Sequence, residues 1–226
     1  MFAKGEPVKI VTFSFDDGVN NDSRLVRLLN RYSFKATFNL NSGKMFHGEV
    51  WNYEGQEVYR LTQQEALEAY KGHEIASHGR AHVFLEKKTK EETEEEIAQD
   101  IKSLTSLFSQ PIQGFVAPFG SSNPYVDGVL KKEGIAWCRG VESTRSFLVP
   151  DDLLHYEPSA RIADPFLEEL VKDFIELRPK KKEVLFIWSH SYEFNTEEKW
   201  ASFERLLQAL SEQKDILRLT NSEALL

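Results

Sequence analysis

Short apolar stretches alternate with amphipathic stretches along the whole chain. Residues 8–15 are rich in β-branched and aromatic side chains and run directly into two aspartates and a glycine, which predicts a buried strand followed by a loop. The same pattern predicts further strands at 35–40, 73–77, 114–117, 135–141, 183–189 and 216–219. Apolar residues at helical spacing predict helices between them, at 23–31, 62–71, 90–109, 126–133, 165–177 and 197–210.

Alternation of strands with helices is typical of parallel strands joined by crossover helices, so the fold class is α/β. No shift in composition marks a linker and no repeat is visible, so residues 1–226 are expected to form a single domain. Periodicity does not separate an open sheet from a barrel. In either arrangement the functional groups are expected at the carboxyl ends of the strands.

One predicted connection is longer than ordinary loops. Residues 41–61 carry three glycines and the aromatic residues Phe46, Trp51, Tyr53 and Tyr59. Long connections at the rim of a site are often functional. Trp51 and Tyr53 suit stacking on the flat face of a ligand and equally suit packing against the fold, and His47 is a further candidate for ligand contact.

Composition narrows the class of partner. There are 28 Lys and Arg against 36 Asp and Glu, a net charge of −8, which argues against nucleic acid or anionic lipid as the main ligand. No apolar run approaches the roughly 20 residues of a membrane span. A single cysteine excludes an internal disulfide and a multi-cysteine zinc module. No signal peptide is visible, so the expected setting is cytoplasmic; the oligomeric state is not predicted.

Residues able to bind a metal ion follow three of the predicted strands. Asp16 and Asp17 follow the first, His78 and His82 the third, and His190 the apolar strand at 183–189. Two histidines four residues apart are expected on one face of a helical turn, so that both imidazoles reach one ion. A carboxylate as third ligand leaves positions open for water and substrate, and the second carboxylate is then close enough to act as a base.

Each of these elements is ambiguous by itself. An Asp-Asp-Gly after a strand is more often a turn, paired histidines are more often surface or core residues, and His190 alone suits a core histidine. Their joint placement at the strand ends of one α/β fold favours a metal-dependent hydrolase.

Four segments spread over most of the chain carry a family resemblance. They are T-F-S-F-D-D-G at 12–18, H-E-I-A-S-H-G-R-A-H at 73–82, A-P-F-G at 117–120 and F-I-W-S-H at 186–190. Together they resemble the motifs of the NodB-homology polysaccharide deacetylases, carbohydrate esterase family four. The resemblance implies a distorted (β/α) barrel with about seven parallel strands and one divalent metal ion, usually zinc.

The resemblance also implies a role for each matching residue. Asp17, His78 and His82 would hold the metal ion. Asp16 would be the general base and His190 the general acid that protonates the leaving group. The backbone N–H of Phe119 would help to stabilise the oxyanion, and Trp188 is a candidate wall of the acetyl pocket, although it also suits the core.

The chain departs from the family pattern in two places. The third motif of the family usually carries an arginine that orients the base, and this chain has Val116 there. A guanidinium from elsewhere could replace it, and the candidates are Arg80, Arg139, Arg145 and Arg161. No segment matches the fourth motif, whose aspartate tunes the acid histidine; the candidate replacements are Glu142, Asp151 and Asp152.

The predicted function is metal-dependent removal of an acetyl group from a saccharide, as an N-acetyl amide or an O-acetyl ester. A small oligosaccharide is the expected substrate. Two alternatives stay open: hydrolysis of a non-sugar amide or cyclic imide on the same scaffold, and a non-catalytic carbohydrate-binding relative. Retention of both Asp16 and Asp17 argues against the last.

Overall fold

The computed structural model describes residues 6–46 and 48–226 of the chain; the candidate His47 therefore lies outside the described residues. Strands pair in the order β7-β6-β5-β2-β1-β9-β8, and β10 pairs with the start of β1. All of these pairings are parallel. Their bounds are β1 Val8–Asp16, β2 Thr37–Leu40, β5 Glu74–Ser77, β6 Gly114–Val116, β7 Trp137–Arg139, β8 Ala160–Arg161, β9 Lys182–His190 and β10 Ile216–Arg218.

In the described part of the chain, six helices join these strands and cover the outer face of the sheet, and a seventh follows the last strand. They are α1 Asp22–Arg31, α2 Gln63–Ala69, α3 Lys90–Phe108, α4 Pro124–Lys132, α5 Leu167–Glu176, α6 Glu197–Ser211 and α7 Asn221–Leu225. The capping box expected where α2 begins is present, with Thr62 and Glu65 exchanging side-chain and backbone bonds. Within residues 6–46 and 48–226, no helix combines the length and apolarity needed to cross a membrane.

The chain itself closes the sheet into a distorted barrel. Tyr156 forms a parallel bridge with Arg139 at the edge strand β7. Four residues later Ala160 begins β8, which pairs with β9 on the other side. The stretch from 156 to 161 therefore links the two sides of the sheet, and the distorted barrel of about seven parallel strands implied by the family resemblance is confirmed.

Alternation along the strands decides which side chains enter the barrel. Odd residues of β1, such as Phe13 and Phe15, pack in the large core under the helices. Ile10 instead belongs to a smaller cluster together with Val184 and Phe186 of β9. Successive side chains point to opposite faces of a strand, so the even-numbered residues of β1 and β9 share the face of Ile10 and Val184. The last even-numbered residues on that face are Asp16 in β1 and His190 in β9. Aspartate and histidine at those ends therefore lie at the barrel mouth.

The short helix α7 occupies the opposite end of the barrel. Asn221 accepts a hydrogen bond from the Thr12 hydroxyl at 2.7 Å, and its own N–H donates to the Thr37 hydroxyl at 2.9 Å. Ala224 and Leu225 pack in the inner cluster. The mouth where the strands end is therefore the end available for a substrate.

Three expectations from the sequence were wrong in detail. The loop predicted over 41–61 contains an antiparallel hairpin, β3 Val50–Tyr53 and β4 Gln56–Tyr59. The two-residue strand β8 and the helix α7 were missed, since both are too short to show periodicity. The segment from His78 to His82 is an irregular loop and not a helical turn, because His82 has a positive φ of 55°.

Candidate active site

Asp17, His78 and His82 converge at the barrel mouth. Oδ1 of Asp17 lies 3.5 Å from Nε2 of His82 and 3.9 Å from Nε2 of His78. The donor atoms of the three residues all lie within 4.8 Å of one another. Ligands at about 2.0–2.2 Å in tetrahedral geometry are roughly 3.3–3.6 Å apart, so this cluster needs only a small contraction to hold one ion.

A hydrogen bond fixes the tautomer of His78. Nδ1 of this ring lies 2.7 Å from the carbonyl oxygen of Val116, which can only accept, so Nδ1 carries the proton and Nε2 presents its lone pair to the cluster. Burial lowers the pKa of His78, and burial together with the neighbouring His78 ring lowers the pKa of His82 to about 4. Both rings are therefore neutral near pH 7, as metal binding requires.

The backbone at this site is held in a sparsely populated conformation. Asp17, His82 and Phe119 have φ values of 86°, 55° and 61°. Side chains other than glycine rarely adopt such angles, and each instance costs on the order of 1–3 kcal/mol. The positive φ of Asp17 turns the chain directly after β1, so two consecutive aspartates both reach the mouth of the barrel.

Asp16 forms a buried ion pair with Arg139 of β7. One guanidinium nitrogen, Nη2, donates to both carboxylate oxygens at 2.6 Å, and Asn39 donates to Oδ1 at 2.7 Å. Burial raises the pKa of Asp16, but the charges of Arg139, His78 and His190 outweigh it, and the net pKa is lowered. Asp16 is therefore ionised at neutral pH and fixed in orientation.

Among the described residues Arg139 is the arginine that contacts Asp16, the contact expected of the arginine missing from the third motif. Of the four candidates, Arg80 lies 3.9 Å from Glu95, Arg145 donates to Asp164, and Arg161 donates elsewhere in the site. The alternation of side chains along a strand could have distinguished Arg139 from the other three arginines. Arg139 lies two residues after the buried Trp137, so both side chains point into the barrel.

His190 is held by Glu193, and the three candidates for this role were wrong. Nδ1 of His190 lies 2.6 Å from Oε1 of Glu193. Asp152 instead contacts His155, and Glu142 and Asp151 are exposed. Burial lowers the pKa of His190, but the bond to Glu193 and the charges of Asp17 and Asp16 outweigh it and raise the net pKa. The carboxylate lies three residues after the histidine in a short 3₁₀ turn, so the partner of His190 is local in the chain.

Glu193 is in turn fixed by its own guanidinium. Arg161 donates to both oxygens, from Nη2 at 2.5 Å and from Nε at 3.1 Å, and the Ser189 hydroxyl donates at 3.0 Å. Burial raises the pKa of Glu193, and the bonds from His190 and Arg161 more than compensate, so the pKa falls to about 2. The carboxylate stays ionised and favours a protonated His190.

The third site carboxylate also has a guanidinium partner. Arg60, which follows the hairpin, donates from Nη1 to Oδ1 of Asp17 at 2.8 Å. The pairs Asp16–Arg139, Asp17–Arg60 and Glu193–Arg161 thus surround the histidines. No sequence motif marked Arg60 or Glu193 for this site.

Aromatic side chains flank the cluster on two sides. Phe119 is 54% exposed and stacks on Phe84 with ring centroids 3.9 Å apart, and its ring lies 4.6 Å from that of His82. On the other side Tyr192 stacks on His190 at 4.8 Å and contacts Tyr53 at 4.9 Å. The cluster therefore lies between two aromatic surfaces.

Trp188 lies deeper in the barrel than His190, two residues earlier on the same face of β9. Its ring is 6% exposed and lies between two guanidinium groups, 4.4 Å from that of Arg139 and 5.3 Å from that of Arg161. It therefore lies between the guanidinium group that pairs with Asp16 and the one that pairs with Glu193. A role in the acetyl pocket stays a prediction.

A groove of about 920 Å³ opens beside the Glu193–Arg161 pair, between α5 and α6. Its walls combine apolar side chains, among them Ile162, Val171, Ile175 and Leu206, with charged side chains such as Lys172. Space for a group much larger than acetyl therefore lies next to the acid side of the site.

The comparisons with known proteins agree with this architecture. A family profile described as polysaccharide deacetylase matches residues 3–137, more than half of the 226 residues. A search of curated proteins finds no match. A family 4 carbohydrate esterase from Streptomyces lividans, solved with acetate, is 16% identical with a TM-score of 0.62, over 94% of this chain and 92% of that one.

Two further solved structures share the fold. The peptidoglycan deacetylase PdaC from Bacillus subtilis is 13% identical with a TM-score of 0.61, over 98% of this chain and 92% of that one. A family 4 pseudoenzyme from Bacillus anthracis is 15% identical with a TM-score of 0.62, over 97% of this chain and 66% of that one. The fold therefore occurs both with and without activity, but the profile match and the barrel establish that the chain belongs to the NodB-homology polysaccharide deacetylases of carbohydrate esterase family four.

Proposed function

We propose that this protein is a metal-dependent hydrolase that removes acetyl groups from a saccharide. The observation that carries the proposal is the convergence of Asp17, His78 and His82 between an arginine-held carboxylate and a carboxylate-held imidazole. Two neutral imidazole nitrogens and one carboxylate oxygen are a donor set that suits zinc and leaves a position open. A divalent ion held there would supply the Lewis acidity that activates water and polarises the acetyl carbonyl.

The protein groups divide the proton transfers between them. Asp16, ionised and oriented by Arg139, accepts the proton of the attacking water. His190 and Asp16 are directly paired positions of adjacent strands, so base and acid face the substrate from neighbouring strand ends. His190, kept protonated by Glu193, donates its proton to the departing amine or alkoxide. The N–H of Phe119 is proposed as a donor to the oxyanion.

A saccharide substrate is supported by the aromatic rings beside the cluster. Phe84 and Phe119 offer exposed ring faces on one side, and Tyr192 and Tyr53 lie on the other. Such faces pack against the C–H faces of sugar rings, while nearby polar groups orient the hydroxyls. A small oligosaccharide as substrate and a cytoplasmic setting stay predictions.

The test combines metal analysis with a substrate panel. The protein is stripped with chelator, reloaded with zinc and assayed for acetate release from an aryl acetate, acetylated xylooligosaccharides, chitooligosaccharides and a cyclic imide. We expect one zinc ion per chain and turnover of at least one acetylated saccharide. His78→Ala should lose metal and activity together, whereas His155→Ala, an exposed histidine that contacts Asp127 and Asp152, should keep both.

The outcomes separate the alternatives. Zinc binding with imide hydrolysis and no acetate release would replace the deacetylase by the non-sugar hydrolase. Zinc binding without turnover of any substrate would indicate a non-catalytic relative. A His78→Ala protein that keeps stoichiometric zinc and full activity would overturn the metal assignment.

A further inference from the structure

Arg60 contacts the proposed metal ligand more closely than any histidine does among the described residues. From Nη1 it donates to Oδ1 of Asp17 at 2.8 Å and to the carbonyl oxygen of the same residue. The same nitrogen lies 3.1 Å from Oδ1 of Asn41, whose amide donates to the carbonyls of His78 and Gly79. Arg60 thus joins both of the loops that supply the ligands.

The backbone holds Arg60 firmly in this place. It forms an antiparallel bridge with Val19, and the N–H of Leu61 donates to the carbonyl of Gly18 at 2.9 Å. The Trp51 ring lies 5.7 Å from the guanidinium, and the Arg60 side chain is only 8% exposed. The position of the Arg60 guanidinium is therefore set by backbone contacts to the turn after β1, in addition to the contacts of its side chain.

The carboxylate oxygen that accepts from Arg60 is the one that faces both imidazoles. Oδ1 of Asp17 lies 3.5 Å from Nε2 of His82 and 3.9 Å from Nε2 of His78. A divalent cation bound by these residues would therefore share one carboxylate with a guanidinium. Two positive charges on one carboxylate repel each other, and the repulsion is strong here because a buried site screens charges less than water does.

We propose that Arg60 acts as a built-in competitor of the metal ion. It neutralises Asp17 when the site holds no metal, which spares the fold an unpaired buried carboxylate, and it lowers the affinity of the occupied site. The consequence is a metal that exchanges with its surroundings and a metal-free protein that stays folded. The inference rests on the metal assignment above and does not depend on the reaction.

The opposite role makes the opposite prediction. Outer-sphere partners that orient a ligand raise metal affinity, and their loss lowers it by roughly 10- to 100-fold. His78 shows such a support, because the neutral carbonyl of Val116 orients its ring. Arg60 differs from that carbonyl in carrying a positive charge. The sign of the change in affinity therefore decides between competitor and support.

The experiment measures zinc affinity by competition with a chromophoric chelator, so no substrate is involved. Arg60→Gln removes the charge and keeps a donor, and we expect it to bind zinc roughly 10- to 100-fold more tightly than the wild type. Arg60→Lys keeps the charge and should stay within a few-fold of the wild type. Arg145→Gln removes an exposed arginine that pairs with Asp164 and should change nothing.

Thermal unfolding gives an independent readout. Without zinc, Arg60→Gln should melt at a lower temperature than the wild type, and zinc should raise its melting temperature by more. If Arg60→Gln does not fold without zinc, it is purified with zinc and the rate of zinc loss to excess chelator is compared; the inference requires slower loss than in the wild type.

Equal or weaker zinc binding by Arg60→Gln, or equal or faster zinc loss, overturns the inference. The inference is also overturned if Arg60→Lys binds zinc as tightly as Arg60→Gln does, and both more tightly than the wild type. The positive charge would then not be the cause of the change in affinity. If the wild type and Arg60→Gln both bind zinc no better than His78→Ala, the metal assignment itself fails. Absence of hydrolysis with tight zinc binding would count against the proposed function alone.

Discussion

Replacing the buried carboxyl of Asp100 should stabilise the protein at neutral pH. Asp100 lies on α3 and is fully buried. Its Oδ1 accepts from the N–H of Ser42 at 2.7 Å, and its Oδ2 accepts from the hydroxyl of Ser77 at 2.6 Å, directly before the proposed ligand His78. Asn in its place can still accept from Ser42 and donate to the Ser77 oxygen, so Asp100→Asn keeps both contacts and removes only the charge.

The size of the effect follows from the raised pKa. Burial raises the pKa of Asp100 from 3.8 to about 6. Because the folded state binds its proton more tightly than the unfolded state, the stabilising contribution is present below the unfolded pKa and is lost as the pH rises through about 6. Each unit of pKa difference corresponds to about 1.4 kcal/mol, so the loss is about 3 kcal/mol at pH 8 and about 1 kcal/mol at pH 4.5.

The assay is urea unfolding followed by tryptophan fluorescence, with chelator present so that metal binding does not contribute. The free energy of unfolding of Asp100→Asn minus that of the wild type should grow by about 2 kcal/mol between pH 4.5 and pH 8. Every other titrating group is common to both proteins, so its contribution cancels in the difference.

Asp173→Asn provides the matched control, since Asp173 is an exposed carboxylate on α5 and the change removes the same charge. Its difference from the wild type should stay nearly constant with pH. A constant or shrinking difference for Asp100→Asn would refute the reasoning, because it would mean that burial does not penalise the ionised carboxyl.

Three further predictions concern the chemistry. Asp16→Asn should keep stoichiometric zinc and lose roughly 10²–10⁴-fold in turnover, the usual scale for a positioned base, and release of zinc instead would make Asp16 a ligand. His190→Ala should slow hydrolysis of an amide more than that of an aryl acetate, whose leaving group needs little protonation; equal losses would mean that it only positions the substrate. Glu193→Gln removes the group that raises the pKa of His190, so the alkaline limb of kcat/KM should move to lower pH, and an unmoved limb would separate Glu193 from acid catalysis.

The placement of the main site residues could be predicted from the sequence because each follows a buried strand. Alternation of apolar strands and amphipathic helices predicts a parallel sheet, and parallel strands bring their carboxyl ends to one edge. Asp16 and His190 end β1 and β9, and those two positions are paired in register. Local pattern and a general rule of topology were sufficient here, since no long-range side-chain contact had to be known.

The partners of these residues were harder to identify. Arg139 was one of four candidates, and only the closed barrel brings β7 across from β1 so that its guanidinium reaches Asp16, 123 residues away along the chain. Glu193 was overlooked although it lies three residues from His190, because its role depends on a 3₁₀ turn whose direction is set by packing and not by composition. The spacing of the family motifs does not predict these two contacts, because Arg139 and Glu193 lie at positions other than the motif positions of the arginine and the aspartate.

Local patterns along the chain were sufficient to predict the fold class, the end of the barrel at which the site lies and the residues whose type suits metal binding and proton transfer, because periodicity and strand ends are local properties. The balance of charge at that end of the barrel depends instead on contacts between distant segments. Arg60, Arg139 and Arg161 reach Asp17, Asp16 and Glu193 from separate segments of the chain. An ion pair depends on distance and burial, and both are fixed only when the barrel has closed.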